Sequence, residues 1–182
     1  VLTPHPVEGQ KGIFERDAVR IESGEGEVLR ERRHARRAFD GFRYNYWWDD
    51  LDSTYFAGYA LWNYLTAPFL LRRPELEVEE ISPWKEDGQT WRRLRVRFPK
   101  DFPTHSETQT FYFDPDGLLR RHDYDAKVFG DWAKGAHYCW DHQEFDGIVF
   151  PTRRRAYGKK KDGSARTWLL LVGLDISDIR VE

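Results

Sequence analysis

Polar and apolar positions alternate with period two along most of this chain, and the alternation breaks once into a different pattern. Trp91 to Phe98 shows the alternation most plainly: Leu94, Val96 and Phe98 share one face of an extended segment and Arg93, Arg95 and Arg97 the other, as on a half-solvated strand. The same period runs from Glu75 through Leu76 and Val78. Upstream, Ile13 to Glu22 and Glu27 to Arg33 read as two strands joined by Ser23-Gly24-Glu25-Gly26, and Arg36 to Trp47 as a further extended stretch. Asp114-Pro115-Asp116-Gly117 has Pro and Gly where a type I turn with a following bulge needs them, joining Thr108 to Phe113 with Leu118 to Ala126. Asp146-Gly147 joins Ala136 to Phe145 with Ile148 to Tyr157, and Lys161-Asp162-Gly163 leads into Arg166 to Leu174. Successive hairpins of this kind predict an antiparallel meander.

The break is WDDLDSTYFAGYALWNYLTAPFLL, from Trp48 to Leu71, which is aromatic on nearly every side. Asp52 or Ser53 can cap a helix here and Pro68 ends it, while Asp49 and Asp50 suit the positive end of its dipole or the nearby arginines. A helix apolar all round has to be buried, so the alternating segments must curve about it. The expected fold is therefore mainly β: a curved antiparallel meander, or half-barrel, with one inserted aromatic helix on its concave face. With 182 residues and no composition break, one domain over residues 1–182 is expected, upstream strands being left open.

Composition narrows the function more than the fold. Aromatic residues make up 16% of the chain and Met is absent, which favours a stiff core and a shaped cavity over an adaptable groove. The net charge of −2 arises from acidic and basic residues interspersed along the chain, against the basic surplus of a nucleic-acid binder. No apolar run reaches the roughly 20 residues of a membrane span. The single Cys139 rules out an internal disulfide and fits a cytoplasmic location, with a periplasmic or secreted one if a leader is removed.

The phrases PFLL, QTFYFDPDGLLRRHDY and GIVFPTRRRAY, set after one helix among wide antiparallel strands, resemble the half-barrel of the lipoprotein-carrier (LolA/LolB-like) superfamily, and more closely bacterial proteins of unassigned function. The resemblance covers the chain from about Arg36 onward. It implies that acyl chains or other hydrophobic ligands are held between a curved sheet and helices. The chain departs from the family pattern in its shorter beginning, its lack of a visible export signal and the many charges on its strands.

Counting back from the Asp114 turn places Thr110 opposite His122, Thr108 opposite Tyr124 and Tyr112 opposite Arg120, all on one side of the sheet. On a concave side that row offers His122 and Tyr124 as acid or base and Arg120 as an oxyanion partner; on a convex side it is a solvated surface. Tyr55, Tyr59 and Trp62 from the helix, with Thr110 and Tyr112, are the candidate ligand-binding residues, because buried tyrosine hydroxyls need partners. His122 and Asp123 point to opposite faces and cannot form a dyad. His137 and His142, five apart, do not share a face, and no Cys pair or HExxH supplements them, so neither a metal nor a cofactor is expected. Arg154 falls opposite Cys139, with His137 on the same face, although a free Cys more often simply packs. Two functions follow. One is binding of a small hydrophobic or amphipathic ligand, lipid-like or aromatic, between sheet and helix; the other is a small metal-free enzyme of the isomerase or cyclase kind using His122, Tyr124 and Arg120. Oligomeric state is left open.

Overall fold

Asp87-Gly88 and Asp146-Gly147 both take positive φ (49° and 76°, 50° and 80°), the turn whose twist matches that of paired strands, and each closes a hairpin. The computed structural model describes residues 1–40, 47–67, 69–130 and 132–180. They form two compact units, one of residues 1–67, 101–105 and 128–130, the other of residues 68–100, 106–127 and 131–182.

The first unit holds a three-stranded antiparallel sheet, β1 (Gln10–Glu15), β2 (Ala18–Ser23) and β3 (Val28–Arg33), in that order. The stretch from Ile13 to Glu22, expected as one strand, is thus two. Its turn is Arg16-Asp17, with Arg16 at φ 47°, a position where Gly or Asn would have given the signal. Residues Ala35–Phe39 form a 3₁₀ turn where an extended stretch was expected; residues 41–46 of that stretch lie outside the described residues.

The helix α1 (Asp50–Thr66) packs on this sheet. It starts earlier than expected. Asp49 is the N-cap and Asp52 sits at the third helical position, each carboxylate accepting the other's backbone N–H at 2.9 and 3.1 Å. Arg32 of β3 bonds both carboxylates, and Arg30 reaches Asp50 at 2.7 Å. At the other end Ala67 is extended (ψ 134°), as the residue before a proline prefers; Pro68 itself is outside the described residues. Gly58 allows the closest approach between helix and sheet, since a Cβ there would stand 2.3 Å from the Cβ of Phe14.

The second unit is one antiparallel sheet of seven strands whose spatial order repeats the chain order: β4 (Glu77–Glu86), β5 (Gln89–Arg97), β6 (Thr108–Phe113), β7 (Leu119–Asp125), β8 (Lys134–Phe145), β9 (Ile148–Lys159) and β10 (Ala165–Asp175). This open meander, with one helix elsewhere in the chain, is the mainly β architecture expected. The register of β6 with β7 is not the expected one. Phe113 pairs with Leu119 at the turn, but the next pair is Tyr112 with Arg121, so Arg120 is a bulge and every later partner moves by one. Thr110 therefore faces Asp123 rather than His122, and Tyr112 faces Arg121 rather than Arg120. His122 and Tyr124 share their face with Phe111; Thr110 and Tyr112 share the opposite one with Arg121 and Asp123.

Both faces of this sheet contain buried side chains. One carries Val96, Phe111, His122, Tyr124, His137, Cys139, Arg154 and Ala156, all buried. The other is the arginine face of β5, where Arg95 and Arg97 are exposed and pair with Glu79 and Glu77 of β4. Towards the Asp87 turn the same face is covered rather than solvated, with Trp91 buried and Arg93 half-buried.

Candidate ligand-binding site

Arg121 stands at the centre of the covered part of this face, with none of its side chain exposed. Its guanidinium donates to both carboxylate oxygens of Asp123 at 2.6 and 2.9 Å, to Glu86 at 3.1 Å, to the Tyr138 hydroxyl at 3.1 Å and to the carbonyl of Gly163. Every N–H of the fork is used. The Gly163 contact comes from the turn between β9 and β10, which folds over the sheet until Gly163 lies against the Trp84 ring. A Cβ at Gly163 would come within 3.0 Å of that ring, so the turn needs glycine for closeness as well as for its φ of 89°.

The carboxylates around Arg121 are bonded in turn. Asp123 accepts from the Tyr112 hydroxyl at 2.9 Å and pairs with Lys159 at 3.2 Å; Glu86 accepts from Tyr138 at 2.6 Å and from the Trp84 indole at 2.8 Å. Burial, reinforced by the Asp123 carboxylate, pushes the Tyr112 phenol up to about 12. Burial and the bond to Glu86 raise Tyr138 as well. Burial works against the Arg121 charge, but Asp123 overrides it and holds the guanidinium above its ordinary value. At neutral pH the two phenols therefore stay protonated and Arg121 stays charged. Together with their partners they form a closely hydrogen-bonded scaffold.

Rings and cations alternate over this scaffold. Arg121 lies 5.3, 4.9 and 5.2 Å from the ring centres of Trp84, Tyr112 and Tyr138, Arg93 lies 5.5 and 5.8 Å from Trp84 and Tyr112, and Arg153 lies 5.5 Å from Trp140. Trp140 stacks on Tyr138 with centroids 5.5 Å apart. Beside this row a pocket of about 470 Å³ opens, walled by Trp91, Tyr138, Trp140 and Tyr157, with Glu86 and Asp87 on its acidic side. The volume is within the range of small-molecule sites, and the mix of aromatic wall with a few polar groups is what such sites use.

The expected site residues are distributed differently. Tyr112 belongs to the scaffold behind the pocket, and Thr110 is half-buried on the same face. His122 is buried on the opposite face, bonded to Gln109 at 2.6 Å and stacked on Phe111; its ring lies 4.9 Å from that of Tyr124, whose hydroxyl meets His137 at 3.2 Å. Arg120, the bulge residue, is tied to Asp114 at 2.6 Å. The geometry thus brings His122 and Tyr124 together and gives Arg120 a different partner. Arg154 does meet Cys139, at 3.4 Å, but burial pushes the thiol up in spite of that charge, so the sulfur is not activated.

Tyr55 and Tyr59 are buried in the first unit, where Tyr55 packs against Phe14 and Phe39, and Trp62 packs on Phe102. The Tyr59 and Tyr64 hydroxyls meet the two nitrogens of His105 at 3.3 and 2.9 Å, so partners for helix tyrosines come from the protein itself. Burial, with the charge of Arg36, lowers His105 to about 3 and keeps it neutral. The groups missed in the sequence reading were Arg121, Trp84, Glu86 and Asp87. Asp87-Gly88 was a readable turn signal that would have placed the last two at a hairpin end.

Among the described residues, no group of three His, Cys, Asp or Glu is placed to hold a metal ion, and no helix is long and apolar enough to cross a membrane. No protein-family model and no curated protein matches the chain. Two solved structures do. A putative outer membrane lipoprotein-sorting protein domain from Vibrio parahaemolyticus is 11% identical with a TM-score of 0.51, over 98% of this chain and 67% of that one. The fold is LolA-like. A DUF1329 family protein from Desulfovibrio piger is 18% identical with a TM-score of 0.45; the match covers 85% of this chain, which spans 60% of the length of that protein. At these identities the LolA-like likeness is one of architecture. Nothing in either comparison supports the cytoplasmic location expected from the lone cysteine.

Proposed function

We propose that this protein binds a small amphipathic molecule on its seven-stranded sheet and does not transform it. The observation that carries this reading is the pocket of about 470 Å³ whose aromatic wall stands on a buried, fully hydrogen-bonded Arg121 scaffold. Satisfied polar groups behind the wall leave the rings free to offer apolar area, while Asp87 is available to orient a polar end. His122 and Tyr124 then serve as packing residues on the other face. The Vibrio structure is of a putative outer membrane lipoprotein-sorting protein domain, and a lipid-like ligand would suit that architecture; a periplasmic or secreted location goes with this reading.

The test uses the neutral amphipathic dye N-phenyl-1-naphthylamine, whose fluorescence rises in apolar surroundings, together with native mass spectrometry of the protein as purified. Ala165 is part of the pocket lining, and Ala165→Phe fills space there. Saturable binding of one dye per chain, lost in Ala165→Phe at unchanged melting temperature, supports the reading. Absence of saturable binding and of any retained molecule, or dye binding indifferent to Ala165→Phe, overturns it.

A further inference from the structure

The six rings on the covered face fall into two groups. Trp84, Tyr112, Tyr138 and Trp140 each have an arginine over them. Trp91 and Tyr157, which line the pocket, have no guanidinium over them among the described residues. Ring faces carry negative potential, and on this sheet arginine is what meets it.

The charges at the pocket sort in the same way. Arg121 and Lys159 balance Glu86 and Asp123 through direct contacts, and Arg120, which also borders the pocket, is held by Asp114. Asp87 is left over. It sits at the tip of the β4–β5 hairpin, borders the pocket, is exposed and is in no ion pair among the described residues.

From these two observations we propose that the pocket takes a small organic monocation, an aryl or alkyl ammonium whose charged group lies against Trp91 and Tyr157 and is neutralised by Asp87. The proposal rests on the ligand-binding reading above and adds the sign of the ligand's charge. A neutral amphiphile would gain nothing from the Asp87 carboxylate, and an anion would meet it as a like charge. An ammonium fits because it gains from both the ring faces and the carboxylate.

The experiment is displacement of N-phenyl-1-naphthylamine from the full chain by benzyltrimethylammonium, with 3-phenylpropanol and 3-phenylpropanoate as neutral and anionic counterparts of similar size. If the dye does not bind, the same three compounds are titrated by calorimetry. The cation should bind at least about tenfold more tightly than the alcohol, with the carboxylate weakest. Asp87→Asn should weaken the cation about fivefold and leave the alcohol unchanged. Asn suits the left-handed backbone of this position, so the hairpin should stay intact. Equal binding of cation and alcohol, or an Asp87→Asn variant indistinguishable with the cation, overturns the charge assignment while dye binding keeps the ligand-binding reading. Silence from the dye and all three compounds overturns both.

Discussion

Two buried residues define what individual side chains contribute. Replacing Arg121 by Met would remove the cation from between Asp123 and Glu86, leaving carboxylates that are 5% and 22% exposed without it. Stranding buried charge costs about 3–5 kcal/mol, and here the lower end is expected because Lys159 remains beside Asp123 and Glu86 is partly hydrated. A urea midpoint that falls accordingly with unchanged m-value is the check; Arg121→Lys should recover only part, since it restores the charge without the planar fork. His105 gives a pH dependence. Its folded value near 3 lies below the ordinary 6.5, so between these two pH values the unfolded chain binds a proton that the folded one excludes. Its effect on stability is nil above about pH 6.5 and grows as the pH falls, on the order of 1.4 kcal/mol lost per pH unit in the middle of the window. Unfolding titrations from pH 7 to 4 should show a gentler slope for His105→Gln than for the parent. Identical slopes would mean that the imidazole is not held neutral.

At the scale of elements, helix and sheet in the first unit meet through a position where propensity and packing disagree. Gly58 in the middle of α1 costs about 1 kcal/mol against Ala in an isolated helix, so Gly58→Ala would ordinarily stabilise. The 2.3 Å approach of the new Cβ to Phe14 reverses the sign, and a net loss of about 1–3 kcal/mol is expected. A thermal melt decides it: a raised melting temperature would show that the helix can slide away from β1. Such close contacts have no signature in hydrophobic period, which is why the sequence showed the helix without its partner. The second sheet was far more legible, since Asp114 to Gly117, Asp146-Gly147 and the Gly163 turn carry the residue types that positive φ demands. The Arg120 bulge was not legible, because the two residues competing for the extra position are both arginine and alternation cannot choose between them. One missed residue was enough to put Thr110 and Tyr112 on the wrong side from His122 and Tyr124, and the candidate site moved with them. The covering of the arginine face was hidden for another reason, because it depends on the β9–β10 turn folding onto Trp84, a contact between segments about 80 residues apart that no local pattern records.

For the whole molecule, the decisive property is that neither unit is one continuous stretch of the chain. Residues 1–67 contain β1 to β3 and α1 and look separable, yet their unit also includes residues 101–105 and 128–130, which are loops of the chain that builds the other sheet. These short segments supply core partners to the helix. His105 bonds Tyr59 and Tyr64, Pro103 accepts from Asn63 at 2.8 Å, and Phe129 stacks on Trp48 at 4.8 Å and meets Phe56 edge to face. Without them the helix would lose these hydrogen bonds and leave several ring surfaces uncovered, a large loss for a unit of this size. A fragment of residues 1–67 should therefore retain far-ultraviolet helical signal at most, without the near-ultraviolet aromatic circular dichroism that fixed packing produces. In the full chain, exchanging His105 and Phe129 together for Ala should weaken that aromatic signal and lower the melting temperature by more than either change alone. A fragment that melted cooperatively with its aromatic signal intact would show instead that the amino-terminal unit folds without its borrowed loops.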